Sequence, residues 1–441
     1  MFRSLRFIKA GWWMLLPPEG MRSAFVDVDQ LSIDERACLD VDSGYQSSVA
    51  TKWDAGYAGF YRGLVATHDN ALDCSGSVPV ADEYRFLRKY FSPWWSIVFL
   101  AARCLQLRNP IAEISGYLQS RQVARVDLWS KSCAPKCSVP PIAEAADLPS
   151  VTVVIPTLNR YQYLEDALRD LEAQTYRDFD VVVIDQSQPF REDFYQAFDL
   201  NLKVIRQEQP GLWRARNAAV KGSQAGAILM FDDDSRVDPD WIALHLDCVE
   251  KYGADISSGV SLSTVGDRVP ESYGNYRQAD QLDTGNVLVN RAVFERIGLF
   301  DEQFEGQRMG DSEFGLRAFL AGYRIISSPD AMRIHLKVES GGLRQMGSWD
   351  AFRPKSLFAP RPVPSVLYLL RKYFGDSDAI KAICVLVPPS VVPYHLKGNR
   401  FLRGAAYLGA LLLGPLLLVQ SLRSWSAASK KLREGARIPV L

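Results

Sequence analysis

Apolar runs and helix-like segments alternate through the middle of the chain. Four mostly aliphatic runs lie at 151–155, 181–184, 202–205 and 227–231. Between the first two, apolar residues recur every three or four positions from 164 to 171, which is helical spacing. Apolar strands that alternate with helices predict a parallel sheet covered on both faces. Such sheets bind ligands at the carboxyl ends of their strands, so the residues after each run should share one rim.

Polar or turn-forming residues follow the first two runs. Pro156, Thr157 and Asn159 come after the first run, and Asp185 ends the second. Asn159 is also placed to cap the helix that follows it. We expect Thr157, Asn159 and Asp185 at the rim of the sheet, together with the residues after Phe231.

Three aspartates, Asp232, Asp233 and Asp234, follow the fourth run directly. Adjacent carboxylates repel one another unless a cation lies close to them. Mg²⁺ and Mn²⁺ prefer oxygen ligands, so a divalent cation that bridges to a substrate phosphate is the natural partner. The alternative is an acidic, solvated loop, which is unfavourable directly after a buried strand.

The alternation continues beyond this triplet. A strand is predicted after 284–286, and a helix begins near Asp311 and ends at Gly322. His335 follows a further strand at 323–327. Taken alone, Asp311 is explained as a carboxylate at a helix N-terminus and His335 as a satisfied polar residue.

Several ordered segments carry a family resemblance over residues 151 to about 340. The segments are VTVVIPTLNR, VVVIDQS, GLWRARNAA, ILMFDDDSRVDPDWI, TGNVLVNRAVFERIGLFDEQF and MGDSEFGLRAFLAGYRI. Together they resemble the family-two glycosyltransferases of GT-A fold. The resemblance implies an α/β fold with a Rossmann-like, mostly parallel sheet flanked by helices.

By this resemblance, the rim of the first two strands holds the nucleotide of a nucleotide-sugar donor. Pro156, Thr157 and Asn159 would line that site. Asp185 would contact the base, and Arg216 would lie near the nucleotide.

The resemblance also implies a cation site and a general base. Asp232 and Asp233 would hold the donor diphosphate, and Asp232, Asp234 and His335 would ligate Mn²⁺ or Mg²⁺. Asp311 would accept the proton of the acceptor hydroxyl, as inverting transfer requires. Glu313 would be structural or would contact the acceptor.

The chain departs from the family pattern in two places and carries one unusual bulky residue. Gly310 stands where a Glu usually precedes the base, and Gln186 and Ser187 replace an Asp-Gly-Ser-like turn. Trp213 occupies the position of a small residue. It would either stack on a ligand or pack inside the fold.

Two segments are candidates for membrane contact. Residues 404–422 carry no charge, are broken by Gly414 and Pro415, and have basic residues on both sides. This pattern favours a hairpin or an interfacial insertion over a simple span, with a buried helix as the alternative. The apolar, aromatic segment 10–16 either lies at the membrane interface or packs on the fold.

The first 149 residues carry no motif that we can assign to chemistry. Alternating runs at 25–29 and 38–42 predict two strands, and 83–129 is predicted to be helical. The tetrapeptide RKYF occurs at 88–91 and again at 371–374, each time before an apolar segment. The repeat is either chance or a sign of two similar membrane-facing helices.

Composition narrows the function classes. The 441 residues contain 51 Lys and Arg and 51 Asp and Glu, and this balance disfavours a nucleic-acid partner. The seven cysteines are scattered, which fits a reducing compartment and not a disulfide framework.

We therefore expect an α+β extension at 1–149, a catalytic domain at 150–350 and a helical, membrane-associated region at 351–441. The expected activity is inverting transfer of a sugar to a saccharide, plausibly a lipid-linked intermediate of surface polysaccharide, at the cytoplasmic face of the cell membrane. The alternatives are a sugar nucleotidyltransferase and a non-catalytic scaffold. Nucleotidyltransferases normally carry a Gly-rich loop after the first strand, and the PTLN segment is not one.

Overall fold

The structure is a computed structural model that describes residues 2, 5–8, 11–134, 149–263, 270–279, 282–338, 343, 356–392 and 408–441. One mixed sheet forms its centre. The strands are β1 Val151–Thr157, β2 Phe179–Asp185, β3 Leu202–Arg206, β4 Ala227–Phe231, β5 Ser235–Val237, β6 Ile256–Ser263, β7 Arg277–Gln278, β8 Asn286–Asn290 and β9 Ile325–His335.

The helices fall into three groups along the chain. Before the sheet lie α1 Leu5–Ile8, α2 Ile33–Ala37, α3 Ser48–Tyr61, α4 Val80–Tyr90, α5 Pro93–Leu105 and α6 Pro110–Gln119. Within the sheet region lie α7 Tyr161–Glu172, α8 Leu212–Gly222, α9 Trp241–Tyr252, α10 Arg291–Ile297 and α11 Gly310–Leu320. After it lie α12 Pro364–Leu386, which is interrupted at Gly375, and α13 Gly414–Glu434.

The strand order is β3-β2-β1-β4-β8-β6-β9-β5, and β7 pairs with β9. The first four strands are parallel to one another, as the apolar runs predicted. The second half differs, because β8 runs antiparallel to β4 and to β6, and β5 runs antiparallel to β9. The sheet is therefore mixed rather than mostly parallel.

The sheet is covered on both faces, as the apolar strands require. One cluster of buried side chains joins β1 and β2 to α7 and α9. A second, larger cluster lies on the other face and includes residues of α8 and α11. That second cluster also contains Trp13, Met14 and Leu367, so residues from both ends of the chain pack onto the sheet domain.

The predicted strands at 25–29 and 38–42 are wrong. Among the residues described before position 135, the β pairing is limited to an isolated bridge between Val26 and Ala71, and the region is helical instead of α+β. Asp27 is not on a strand face, because its side chain accepts a hydrogen bond from Asp29 N and caps a 3-10 turn. Alternation in these short runs reflects capping by aspartate and burial of Val26 and Val28.

The apolar segment near the N-terminus packs on the fold, which was one of its two interpretations. Trp13 and Met14 are buried. The Trp13 ring lies 4.8 Å from the ring of Phe319 in α11. This segment is thus part of the hydrophobic core.

The C-terminal apolar segment is only partly described, since 404–407 lie outside the described residues. Residues 408–412 are helical, Leu413 leaves the helix, and α13 starts at Gly414 with Pro415 in its first turn. The break expected at these two residues is present. In the described part of the chain, no helix has the length and apolarity needed to cross a membrane.

Candidate active site

The acidic triplet meets His335 because of the register between two short strand segments. The triplet joins β4 to β5, and Ser235 of β5 lies opposite His335 of β9. Leu336 N donates to the carbonyl oxygen of Asp234 at 2.9 Å. His335 Nε2 consequently lies 3.3 Å from Asp234 Oδ1.

Three predicted metal ligands converge at this point. Asp232, Asp234 and His335 each offer one ligand atom, and these atoms all lie within 4.8 Å of one another. Two carboxylate oxygens suit Mn²⁺ or Mg²⁺, and the imidazole nitrogen adds a donor of the kind that transition metals accept. Burial is the largest single effect and acts to raise the pKa of Asp234, but the hydrogen bond with His335 and the charges of His335 and Arg160 together hold this pKa below its ordinary value.

Two buried arginines hold Asp232 from either side. Arg216 Nη2 donates to Asp232 Oδ1 at 2.8 Å and to the carbonyl oxygen of Thr284 at 2.7 Å. Arg333 Nη1 donates to Asp232 Oδ2 at 3.0 Å, and its Nη2 bonds both carboxylate oxygens of Asp283 at 2.9 Å. Burial alone would lower the pKa of Arg333, but Asp283 and Asp232 raise it above its ordinary value. Arg216, which was expected near the nucleotide, therefore also positions a carboxylate of the cation site.

A third arginine bridges the other two aspartates. Arg160 Nη1 lies 3.2 Å from both Asp233 Oδ1 and Asp234 Oδ2, and its Nη2 donates to Val338 O at 2.9 Å. Thr157 Oγ1 donates to Asp233 Oδ2 at 2.8 Å. Burial raises the pKa of Asp233 to about 7, although Arg160 opposes that shift.

Charge compensation at the triplet thus differs from the sequence-based argument, which assigned it to a cation alone. Arg160, Arg216 and Arg333 together face the three aspartates. Only Arg216 was anticipated. Arg160 could have been found from its place directly after Asn159 at the predicted rim, and Arg333 from its place two residues before His335, on the same strand face.

Gly285 leaves the space that this ion-pair network needs. A Cβ at position 285 would lie 2.1 Å from Arg333 Nη1 and 2.2 Å from Asp232 Oδ2. Any side chain here would displace the arginine or the aspartate. The predicted strand start at 284–286 is therefore also a wall of the cation site.

Asp185 lies at the predicted rim but is fully buried. Its Oδ2 accepts hydrogen bonds from Tyr161 at 2.7 Å and from Tyr195 at 2.8 Å. Its Oδ1 accepts from Ser187 N at 2.8 Å. Contact between Asp185 and a base stays a prediction, and in this structure two tyrosines hold the carboxylate.

Asn159 does not cap the helix that follows it, so that expectation is wrong. The residue before α7 is Arg160, and no side chain caps the helix. Asn159 has a φ of +55°, and its Oδ1 accepts from Gln188 N at 2.9 Å. Its own N donates to Ser187 Oγ at 2.8 Å. The asparagine therefore ties the loop after β1 to the loop after β2.

Gln186, which departs from the family pattern, connects the end of β2 to the loop between β3 and α8. Its Oε1 accepts from Gly211 N at 2.6 Å and from Gln207 Nε2 at 3.0 Å. Gly211 directly precedes α8. The departure at 186–187 thus joins β2 to both neighbouring loops.

The predicted general base lies in the first turn of α11. Asp311 is half-buried, and its Oδ1 accepts a hydrogen bond from Ser312 N at 2.8 Å. Gly310 packs directly against the indole of Trp213, whose Nε1 donates to Phe304 O at 3.1 Å. The Arg216 guanidinium lies 5.4 Å from the centre of the Trp213 ring. One indole therefore separates the start of α11 from the arginine that holds Asp232.

Glu313 is structural in this arrangement. It is buried and accepts from Tyr373 at 2.6 Å and from Lys372 at 2.9 Å, in addition to its pairing with Arg317. Burial acts to raise its pKa, but Arg317 and Lys372 outweigh this and hold the pKa below its ordinary value.

The second copy of the RKYF repeat therefore serves a buried carboxylate, and so does the first. Lys89 pairs with the buried Asp54. Tyr90 is hydrogen-bonded to the same carboxylate. In both copies the Lys-Tyr pair satisfies one internal acid.

The sequence of the sheet region is similar to that of known glycosyltransferases. Residues 152–300 match the family model described as Glycosyl transferase family 2. Glycosyltransferase AglE of Haloferax volcanii is 28% identical over 209 residues, which are 43% of this chain and 67% of the relative. O-antigen biosynthesis protein RfbC of Myxococcus xanthus is 27% identical over 221 residues, which are 42% of this chain and 17% of the relative.

A solved structure of S. aureus TarS 1-349 in complex with UDP-GlcNAc is similar to this chain. The similar region covers 64% of this chain and 85% of the TarS chain. The identity is 19% and the TM-score is 0.42.

Proposed function

We propose that this chain is a member of glycosyl transferase family 2, whose model matches residues 152–300, and that it transfers a sugar from a nucleotide-sugar donor to a hydroxyl group with inversion at the anomeric carbon. The observation that carries the proposal is the convergence of Asp232, Asp234 and His335 at the carboxyl edge of the sheet. Ligand atoms of this kind, held in place by buried arginines, would form a site for a divalent cation and for the diphosphate of a nucleotide sugar.

The bound cation would offset the charge that develops on the departing diphosphate. Arg216 and Arg333 orient Asp232, because both oxygens of this carboxylate already accept from a guanidinium. Arg160 contacts Asp233 and Asp234 through a single nitrogen. Arg160 would direct its positive charge to the donor diphosphate if Asp234 were to hold a cation.

Asp311 is the proposed general base. The acceptor hydroxyl must lose its proton as it attacks the anomeric carbon, and a carboxylate in hydrogen-bond reach accepts that proton. Asp311 suits this role because it is half-buried in the first turn of a helix that packs on Trp213. The bond between its Oδ1 and Ser312 N orients the carboxylate.

We further propose that the acceptor is a saccharide carried by a lipid and that the enzyme acts at the cytoplasmic face of the cell membrane. Leucines of the C-terminal segment support this idea, since Leu411, Leu412 and Leu418 are largely exposed. Exposed leucines beside basic residues favour an interfacial position. The relative RfbC is named as an O-antigen biosynthesis protein, which is consistent with an acceptor of this kind.

The membrane proposal requires point variants rather than a truncation. The end of the chain pairs with the sheet domain, because Leu299 N donates to Pro439 O and Glu302 N donates to Arg437 O, both at 2.9 Å. Deleting 397–441 would remove these bonds. Replacing Leu411 and Leu412 with Gln should instead shift the full chain from the membrane fraction to the soluble fraction and leave its melting temperature unchanged. An unshifted distribution would contradict this part of the proposal.

The activity is tested by donor screening. The purified full chain is mixed with Mn²⁺ or Mg²⁺ and a panel of nucleotide sugars, and release of nucleoside diphosphate is measured. We expect release from one class of donor, its loss in EDTA, and its loss in Asp234→Ala at an unchanged fold. Formation of pyrophosphate from a nucleoside triphosphate and a sugar phosphate would indicate a nucleotidyltransferase instead. No turnover and no cation-dependent nucleotide binding would indicate a scaffold.

A further inference from the structure

The helical pair α5–α6 in the N-terminal extension has one packed face and one exposed face. Tyr84 and Leu87 of α4 pack with Phe99 and Tyr117 on the inner face. On the outer face of α5, the exposed side chains are Trp94, Ile97 and Leu105. On the outer face of α6, they are Ile111, Ile114 and Leu118. Their spacings of three, four, seven and eight residues place each set on one side of its helix.

The turn between these helices carries a second apolar feature. Leu107 is 93% exposed and has a φ of +57°. Glycine adopts this left-handed backbone without strain, whereas a leucine does not. The Leu107 side chain is therefore an apolar group that the fold leaves in solvent at a strained backbone position.

Charge on this helical pair is distributed unevenly. Between residues 91 and 126 the single acidic residue is Glu113, which is buried and bonded to Tyr84. Arg103 is largely buried and pairs with Glu83 and Glu113 on the inner side. The exposed basic residues are Arg108, Arg121 and Arg125. The exposed charged residues between positions 91 and 126 are therefore all basic.

We propose that the outer face of α5–α6 docks onto an anionic lipid bilayer. The apolar stripes would enter the boundary between headgroups and acyl chains, with Leu107 at the leading turn. Trp94 suits the headgroup level, where tryptophan is enriched. The arginines at the turn and beyond α6 would attract anionic headgroups. The contact gives the extension a role that is separate from sugar transfer: it orients the catalytic domain toward the membrane.

The test uses vesicle flotation of the purified full chain. The tip variant combines Leu107→Gly with Ile111→Gln, and Ile33→Gln is the matched control because Ile33 is 87% exposed elsewhere in the same extension. Both variants are also made in the Leu411→Gln, Leu412→Gln background, so that the C-terminal segment does not mask the effect. Vesicles contain phosphatidylcholine alone or with phosphatidylglycerol.

We expect the tip variant to lower binding to the anionic vesicles about tenfold in both backgrounds, while the control binds normally. The tip variant should melt at or above the temperature of the parent, because glycine relieves the backbone strain. Unchanged flotation of the tip variant in the C-terminal background would overturn the proposal. So would equal binding of the parent to both kinds of vesicle, or a loss of self-association in the tip variant with flotation unchanged, which would identify the face as a contact between copies.

Discussion

The indole of Trp213 fills the space that a side chain at position 310 would need. A Cβ on Gly310 would lie 2.4 Å from Trp213 Cζ2. Trp213 is only 4% exposed, and its ring lies 5.2 Å from that of Phe300. In the sequence, the absence of the usual Glu and the bulky Trp are separate departures. In the structure they are a single packing change, because the indole of Trp213 in α8 fills the space that a side chain at position 310 in α11 would occupy.

Gly310→Ala should therefore destabilise the fold by about 1–3 kcal/mol, because the added methyl group overpacks the contact. In the double variant with Trp213→Leu, the methyl group meets a smaller side chain, so the two effects should not add. Thermal or urea unfolding measures both. Gly222→Ala is the control, since a Cβ there would meet its nearest side-chain atom at an ordinary 3.6 Å. Strict additivity would contradict a single packing change.

In EDTA, Arg160→Ala should lower the free energy of unfolding. The variant should also be stabilised more than the parent when a cation is added. Asp233 and Asp234 would lose a shared positive partner, at a cost of roughly 3 kcal/mol for a buried pair. Added Mn²⁺ would then supply charge that Arg160 no longer provides, so the rise in melting temperature on adding Mn²⁺ should exceed that of the parent. Arg169→Ala, on the exposed side of α7, is the control. An equal response to Mn²⁺ in the variant and the parent would show that Arg160 and the cation do not share these carboxylates.

Asp311→Asn should abolish transfer but spare donor binding. Loss of a general base typically slows turnover by roughly 10²–10⁴-fold. If Asp311 only complements the helix dipole, the variant would instead lose about 0.3–1 kcal/mol of stability and keep its turnover. Turnover, donor affinity and melting temperature are measured on the same preparation, with Ser312→Ala as the variant of the neighbouring residue. A stable, donor-binding and inactive Asp311→Asn supports the base.

His245 should make the domain sensitive to acid. Its Nδ1 lies 2.9 Å from Ser257 Oγ and its Nε2 lies 3.0 Å from Asn286 Oδ1. Burial lowers its pKa from 6.5 to about 4. Between these two values the unfolded chain binds a proton that the folded chain does not. Stability that is fully present above pH 6.5 is thus lost as the pH falls, by roughly 3 kcal/mol near pH 4.

The check is urea unfolding of the parent and of His245→Gln across this range. Both proteins share every other titrating group, so the difference between their unfolding free energies isolates the histidine. That difference should shrink as the pH falls. A constant difference would mean that His245 does not titrate differently in the two states.

Local patterns predicted the parallel half of the sheet and its rim well. The runs that form β1, β2 and β4 are buried and aliphatic, so their extent and their polar ends were visible without tertiary information, whereas β3 is only partly buried. The same approach failed at 25–29, where aspartates alternate with valines although Asp27 caps a turn. Short alternating runs do not distinguish a wet strand face from successive caps.

The candidate site was predictable where residues are adjacent in sequence and not where distant segments meet. The triplet is contiguous, and His335, which the family resemblance assigned to the site, lies beside it. The role of Asp311 stays a prediction. The bridge from Arg160 to Val338 joins residues 178 positions apart. The fit of Gly285 against Arg333 depends on the register of two strands. No local pattern encodes such contacts.

Two internal acids of the sheet domain are satisfied from beyond it. Asp301 accepts from Tyr368 at 3.0 Å and from Arg437 N at 2.9 Å, and Glu313 accepts from Lys372 and Tyr373. A chimaera that joined residues 151–350 to the C-terminal helices of a relative would leave both carboxylates buried without these donors. Recombination with a relative can therefore exchange the sheet domain and the C-terminal helices only together. If the helices are exchanged alone, the acids at 301 and 313 have to be replaced as well.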